Sequence, residues 1–459
     1  MAAHEAIRRG RWALAIGLVV ACSHGPGRRE SHKRFPERLP PETVRQAKAE
    51  FAEVSADYER AAESRLSASQ CADFSQRFTR LYKRYGRIMT LAWFNAGAVL
   101  DQCGKTLEAE KIYQAIVAAE PTFDLAYNNL GVIHWNRREE AQAQRYFKLA
   151  VDANPRTRAP RNNLAAALRN KYAGSPASAQ FDAAETHLQN VLAVDSSNRI
   201  AFENLARLYY DRGRLQDKSY LLLAELVVTQ ANRVLESEGE QSADLHNLHG
   251  LLLMERDNQV DALRAFKRAV EFEPRHADAH MNIAMIALRF RDYEQAERSI
   301  GTALEDRRQR GNVEAYLGLG VARRGLRKYA DAKQAFERAM KVDAADARAL
   351  YNLGVLHQEH IAPAQIGKDR GQRGNRLARS YFEAFVARAQ RDAGLQPTVA
   401  DARARLKSIE EYLEAIRVGD ELEKQAAATA REQEKQESER RERLLQMERK
   451  ALEAQTGQH

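Results

Sequence analysis

The chain has 459 residues and a formal charge of +9, from 72 Lys and Arg against 63 Asp and Glu. An excess this mild over that length describes a solvated face, or a basic stripe suited to anionic lipid headgroups or an acidic partner, and makes no case for nucleic acid. No HExxH, P-loop, GxSxG or paired CxxC motif occurs, so no enzyme, cofactor or small-molecule substrate is expected.

Residues 1–21 have the form of a secretion signal. Arg8, Arg9 and Arg11 precede an apolar stretch at 12–21, which is too short to span a bilayer as a mature helix. Val19, Val20 and Ala21 lead into Cys22. This resembles a bacterial lipobox, whose cysteine takes a diacylglycerol thioether and becomes the new N-terminus. The resemblance implies lipidation at Cys22. The non-acidic Ser23 that follows implies sorting to the periplasmic side of the outer membrane. Removing residues 1–21 leaves a charge of +7. Residues 22–40, rich in Gly, Pro, Arg, Lys and Ser, read as a flexible tether.

Residues 41–89 read as an N-terminal helical cap. An amphipathic helix over 41–68 opens on Pro41 and Glu42, and a second over 70–86 carries Phe74, Phe78, Tyr82 and Tyr85. Cys71 and Cys103 each lie 16 residues from Arg87, so an antiparallel hairpin returns them to one level. In an oxidising compartment a disulfide would fasten the cap to the first repeat. Two buried free thiols at the helix interface are the other reading, because bonding needs a Cβ approach that spacing does not set.

From residue 90, apolar residues recur at helical spacing and no strand run occurs. Trp93, Asn95, Gly97, Ala109, Tyr113 and Pro121 reappear 34 residues later as Tyr127, Asn129, Gly131, Ala143, Phe147 and Pro155. With Thr90 as position 1, an aromatic stands at position 4, small residues at 8 and 20, a large residue at 24, and a proline ends the unit. This resembles the tetratricopeptide repeat. The resemblance implies an all-α TPR solenoid, a right-handed superhelix of about eight helix-turn-helix repeats over residues 90–390. The resemblance is strong for repeats one, two, five and seven and weaker for three, four, six and eight. The third carries a loop at 172–178 and resumes near Ala184. The fourth has an apolar run at 220–228 that reads as long and well buried. The eighth is split by a Gly-, Arg- and Lys-rich loop at 363–376.

His246 and His249 share a helix, and His280 is the next repeat's counterpart of His246. Three histidines can bind a metal, but positions 4 and 7 are packing sites, as is position 11 with His134 and His357, so no metal is expected. Asn95, Asn129, Asn163, Asn204, Asn282 and Asn352 all stand at position 6. In the resembled fold that position faces the concave groove, where amides can pair with the backbone of an extended peptide. The row resembles the asparagine ladder of O-linked N-acetylglucosamine transferase. It breaks at Leu248 and Gly318, and bonding within the scaffold is the alternative.

Residues 398–419 read as a C-terminal capping helix. Residues 420–459 read as a charged helical or disordered tail, with a coiled-coil or partner helix around 444–452 as the alternative. The layout is similar to the tetratricopeptide lipoprotein of the myxobacterial adventurous gliding machinery. It implies a lipid-anchored periplasmic scaffold that recruits envelope proteins through its groove. An assembly chaperone or pilotin, and an organiser of peptidoglycan synthesis, are rival readings. Cys22→Ala is expected to release the protein from membranes; unchanged membrane fractionation would overturn the lipid anchor.

Overall fold

The computed structural model describes residues 39–174, 178–364 and 371–456. The signal, Cys22 and almost all of the tether lie outside them. Every regular element among the described residues is helical. The chain divides into two compact units, one through Phe272 and one from Glu273.

The first unit contains α1 (Pro41–Ala62), α2 (Ala68–Tyr85), α3 (Thr90–Gln102), α4 (Thr106–Ala119), α5 (Asp124–Asn136), α6 (Glu140–Ala153), α7 (Ala159–Gly174), α8 (Ser178–Val194), α9 (Arg199–Leu215), α10 (Ser219–Ser237), α11 (Ala243–Glu255) and α12 (Gln259–Phe272). Each helix packs on its neighbour in sequence, and first helices also touch those of adjoining pairs. This is the quasi-one-dimensional stacking of a repeat solenoid. The cap differs from expectation at its first boundary: α1 stops at Ala62, and Ser67 starts a new helix through a capping box with Gln70.

The second unit contains α13 (Ala277–Arg289), α14 (Tyr293–Glu305), α15 (Val313–Gly325), α16 (Tyr329–Val342), α17 (Arg348–Leu356), α18 (Gln372–Ala389) and α19 (Gln396–Thr456). A π-helical turn, His357–Ile361, extends α17. The expected loop at 363–376 is shorter than its composition suggested, since α18 begins at Gln372. Two glycines admit that start. Gly371 takes a left-handed φ of 76°, and a Cβ on Gly374 would sit 2.7 Å from Ala362 Cα.

The 34-residue echo has one packing cause. A Cβ on Gly97 would lie 2.8 Å from the Tyr113 ring, one on Gly131 2.5 Å from Phe147, and one on Gly354 2.6 Å from Phe382. Gly250 stands in the same way over Phe266, and Gly320 over Phe336. Position 8 is therefore glycine wherever position 24 is an aromatic ring. Where position 8 is alanine, at Ala165, Ala206 and Ala284, position 24 is Leu188, Val228 or Ile300, and each pair shares a core cluster. The two positions exchange volume.

A second regularity is conformational. Arg138, Asp257, Arg291 and Arg327 have φ of 64°, 55°, 61° and 60°. All stand at position 15, where repeat one has Gly104 at φ 81°. In these five repeats the turn between paired helices takes a left-handed residue, and non-glycine side chains occupy it in four of them.

Three sequence expectations need correction. Tyr172 is not in a loop: α7 runs on to Gly174, Tyr172 is fully buried, and its hydroxyl donates to Gln216 Oε1 at 3.0 Å. The run at 220–228 is helical but not well buried. Only Ala224, Val228, Ala231 and Leu235 are buried in α10, while Leu222, Leu223 and Leu226 are exposed, because a single i, i+4, i+7, i+11 stripe meets the core. The capping helix and the tail are one element, α19. Ala, Glu, Lys, Arg and Gln are strong helix formers, and the lone Gly419 costs only about 1 kcal/mol.

Gly131→Ala is expected to destabilise the first unit by roughly 1–3 kcal/mol through overpacking, read as a lower urea midpoint. Adding Phe147→Leu should recover part of that loss. Strict additivity of the two substitutions would refute the coupling.

Candidate functional site

The position-6 asparagines sit differently from the expected exposed track. Asn95, Asn163 and Asn204 are 0%, 2% and 2% exposed, too buried to offer amides to a ligand. Of the three, Asn163 acts as a strut between helices. Asn163 Nδ2 donates to Asn128 Oδ1 at 2.8 Å. Asn128 Nδ2 donates to Asn129 Oδ1 at 3.2 Å, and Asn129 Nδ2 to Tyr113 Oη at 3.0 Å. This chain of bonds ties α4, α5 and α7. Among the described residues neither amide atom of Asn95, nor Nδ2 of Asn204, has a hydrogen-bond partner. In the second unit, Asn282 and Asn352 are half-buried, and Asn352 Nδ2 is turned back to the Arg348 carbonyl at 2.9 Å. Bonding within the scaffold, the alternative reading, describes Asn129, Asn163 and Asn352.

The same helical face emerges one and two turns further on. Asn204, Arg207 and Asp211 follow at i, i+3 and i+7 along α9. Asp211 receives two guanidinium groups, Arg207 Nε at 3.6 Å and Arg169 Nε of α7, also at 3.6 Å. Arg169 is only 5% exposed, and burial pushes its guanidinium pKa down to about 10, opposed by Asp211. It remains a cation at neutral pH. Tyr210 donates to Glu255 Oε1 at 3.2 Å, and Arg214 Nε reaches the same oxygen at 3.1 Å. Arg207 and Arg214 also lie over the Tyr210 ring, at 5.5 and 5.8 Å. Burial pushes the Tyr210 hydroxyl pKa up to about 12, opposed by the Arg214 and Arg207 charges and helped by Glu255. The result is a charged, aromatic-backed face across α7, α9 and α11. Arg207 is part-exposed and Arg214 largely so. The period of the asparagine positions, extended by a turn, would have found it in the sequence.

The histidines occupy packing roles. The His246 ring stacks on Phe272 with centroids 5.3 Å apart, and its Nε2 meets Gln241 Oε1 at 3.1 Å. His280 Nε2 meets the Pro274 carbonyl at 3.0 Å. His134 stacks on Tyr146 and pairs with Glu139. His357 is buried, with neither ring nitrogen partnered among the described residues. Burial holds the pKa of His246, His249 and His357 below the usual imidazole value. No group of three His, Cys, Asp or Glu among the described residues is arranged to hold a metal ion.

The structure joins Cys71 of α2 to Cys103, the residue that follows α3, as a disulfide with Cα atoms 6.3 Å apart. Tyr58 of α1 adds a hydrogen bond to Gln102 beside it. Tyr82 stacks on Trp93 at 4.3 Å. Cap and first repeat are thus held by covalent and polar contacts at one end of the α2–α3 hairpin and by an aromatic stack toward the other.

Tetratricopeptide repeat models match residues 177–218, 247–312, 282–325 and 317–359, and a further one matches 125–157. No curated protein matches the chain. Among solved structures, the chain is similar to the APC/C hetero-tetramer Cut9-Hcn1, with 14% identity, 75% of this chain and 67% of that one covered, and a TM-score of 0.46. It is similar to TTC0263, a thermophilic TPR protein of Thermus thermophilus, at 19% identity, 43% and 98% coverage and a TM-score of 0.37. It is also similar to PilW, a type IV pilus biogenesis factor, at 18% identity, 52% and 98% coverage and a TM-score of 0.37. These likenesses are of fold alone.

Reducing the disulfide, or replacing both cysteines with serine, is expected to lower the stability of the first unit by about 3–4 kcal/mol, the loop-entropy value for a ring of this length. Intact-mass analysis after alkylation without reductant should show Cys71 and Cys103 unmodified. Two added alkyl groups would contradict the bond.

Proposed function

We propose that this chain, a tetratricopeptide-repeat protein by the matches in both of its units, is a scaffold that binds protein partners through the charged face of α7, α9 and α11. The observation that carries this reading is Arg207 and Arg214 lying over Tyr210 beside Asp211 and Glu255. Part-exposed guanidinium groups held in place by carboxylates and a ring suit an acidic or polar extended segment. The ion pairs of Arg169 and Arg207 with Asp211, and of Arg214 with Glu255, fix these side chains, so a partner meets a preorganised surface.

The finer reading is a lipid-anchored scaffold on the periplasmic side of the outer membrane, recruiting envelope proteins to an envelope-spanning complex. The residues leading into Cys22 support the anchor. The Cys71–Cys103 pair supports an oxidising compartment. The complex proposed is a gliding motility machine, on the layout of signal, tether, repeats and charged tail. An assembly chaperone or pilotin would differ by transient, substoichiometric contacts, and an organiser of peptidoglycan synthesis by cell-wall defects on deletion with motility intact.

Affinity purification from detergent-solubilised envelopes tests the reading. The protein should recover a stoichiometric set of envelope proteins. Arg207→Glu with Arg214→Glu should lose them at least tenfold while the helical circular dichroism stays unchanged. Equal recovery by the variant, or no partner at all, would count against this face as the binding surface.

A further inference from the structure

The free part of α19 is the longest stretch of the described chain with nothing packed on it. Its beginning is anchored: Val399, Ala402 and Ile409 are buried against α18. Asp401 accepts from Tyr351 at 2.7 Å, and Arg405 bridges Asp401 and Glu359. Residues 421–450 then run as unbroken helix with every position exposed, including Leu422 at 60%, Leu444 at 53%, Leu445 at 53% and Met447 at 68%. Most helical stability normally comes from tertiary packing, and here there is none.

The residues on one side of this segment have a self-complementary order. Leu422, Ala426, Thr429 and Gln433 follow at spacings of four and three, and Gln436, Arg440, Leu444 and Met447 continue the same stripe. It carries no charge except Arg440. Laid antiparallel on a second copy in one register, the stripe sets Leu422 against Met447, Thr429 against Arg440 and Gln433 against Gln436, with Ala426 level with Arg443 and one residue from Leu444. Large apolar residues meet at both ends, and amide meets amide at the centre. A parallel pair would put Arg440 on Arg440 and Ala426 on Ala426, repulsive at one level and hollow at the other.

Charge points the same way. Between 420 and 430, Asp420, Glu421 and Glu423 outnumber Lys424. Between 440 and 450, five Arg and Lys stand against Glu442 and Glu448. Antiparallel pairing lays each acidic end along a basic one. Exposed pairs of this kind decide orientation more than affinity.

We infer that the free segment of α19 is a homodimerisation helix, pairing antiparallel with the same segment of a second copy over residues 422–447. The contact spans about 39 Å of helix, and its apolar part is small, so the dimer is reversible. Pairing joins two copies of the partner-binding face and makes their engagement bivalent. The inference rests on the tail and stands or falls independently of that face.

The test uses the whole chain in detergent, as Leu422→Cys and Met447→Cys variants treated with a short bis-maleimide, with crosslinked peptides mapped by mass spectrometry. Mixing the two variants should yield the 422–447 linkage, while each alone yields little. Leu444→Glu with Met447→Glu should abolish the concentration-dependent dimer in sedimentation and leave the circular dichroism unchanged. Strong 447–447 or 422–422 linkage would overturn the antiparallel register. A monomer at all concentrations would show that the helix stands alone as a charged rod and overturn the pairing itself.

Discussion

The structure depends on the closeness of two helices within each pair. Five repeats set a glycine against an aromatic ring between positions 8 and 24, and three set an alanine against an aliphatic side chain. A methylene gained on one side is given up on the other, as close-packed interiors require. The tight left-handed turn at position 15 is needed because helices so close leave few residues to reverse the chain, and arginine or aspartate accepts the strained backbone there.

The same closeness changes what the asparagine row does. A primary amide at position 6 would be open to a ligand if the first helices stood apart. Packed together, they bury Asn95, Asn163 and Asn204, and a buried amide is costly unless it is paired. Asn128, Asn129, Asn163 and Tyr113 answer that cost with one another. Polar chemistry accessible to a partner is thereby displaced along the helices to Arg207, Asp211 and Arg214, with Arg169 held beneath by Asp211. Removing one member of that buried pair would strand a charge, which is why such clusters hold fixed geometry even when their net stabilisation is small.

The ends of the chain show two ways of finishing a stack. At the N-terminal end, α1 and α2 cover the first pair with aromatic residues, and the Cys71–Cys103 bond and the Tyr58–Gln102 hydrogen bond secure it. At the C-terminal end, Tyr351, Asp401, Arg405 and Glu359 key α19 across α17 and its π-turn. Beyond that point α19 continues on propensity and i, i+4 charge pairs such as Glu439–Arg443.

Periodicity alone was enough for the helical class, the helix pairs and their order, because a 34-residue echo of large and small residues has one packing solution. Boundaries were less legible. Gly, Ser and Pro near 172–178 suggested a loop, but the buried Tyr172 and its bond to Gln216 keep the helix going. The composition of residues 220–228 suggested burial, but apolar content does not say which side of a helix meets the core. The level of Cys71 and Cys103 could be counted; the 6.3 Å Cα separation that lets them bond could not. Position 6 was correctly located, and its exposure was not, since exposure depends on how near the neighbouring helix comes. Local pattern determined which residues face which partner helix. Only tertiary contact decided which polar groups were left for a partner to reach, because burial belongs to neighbours that are far apart in the chain.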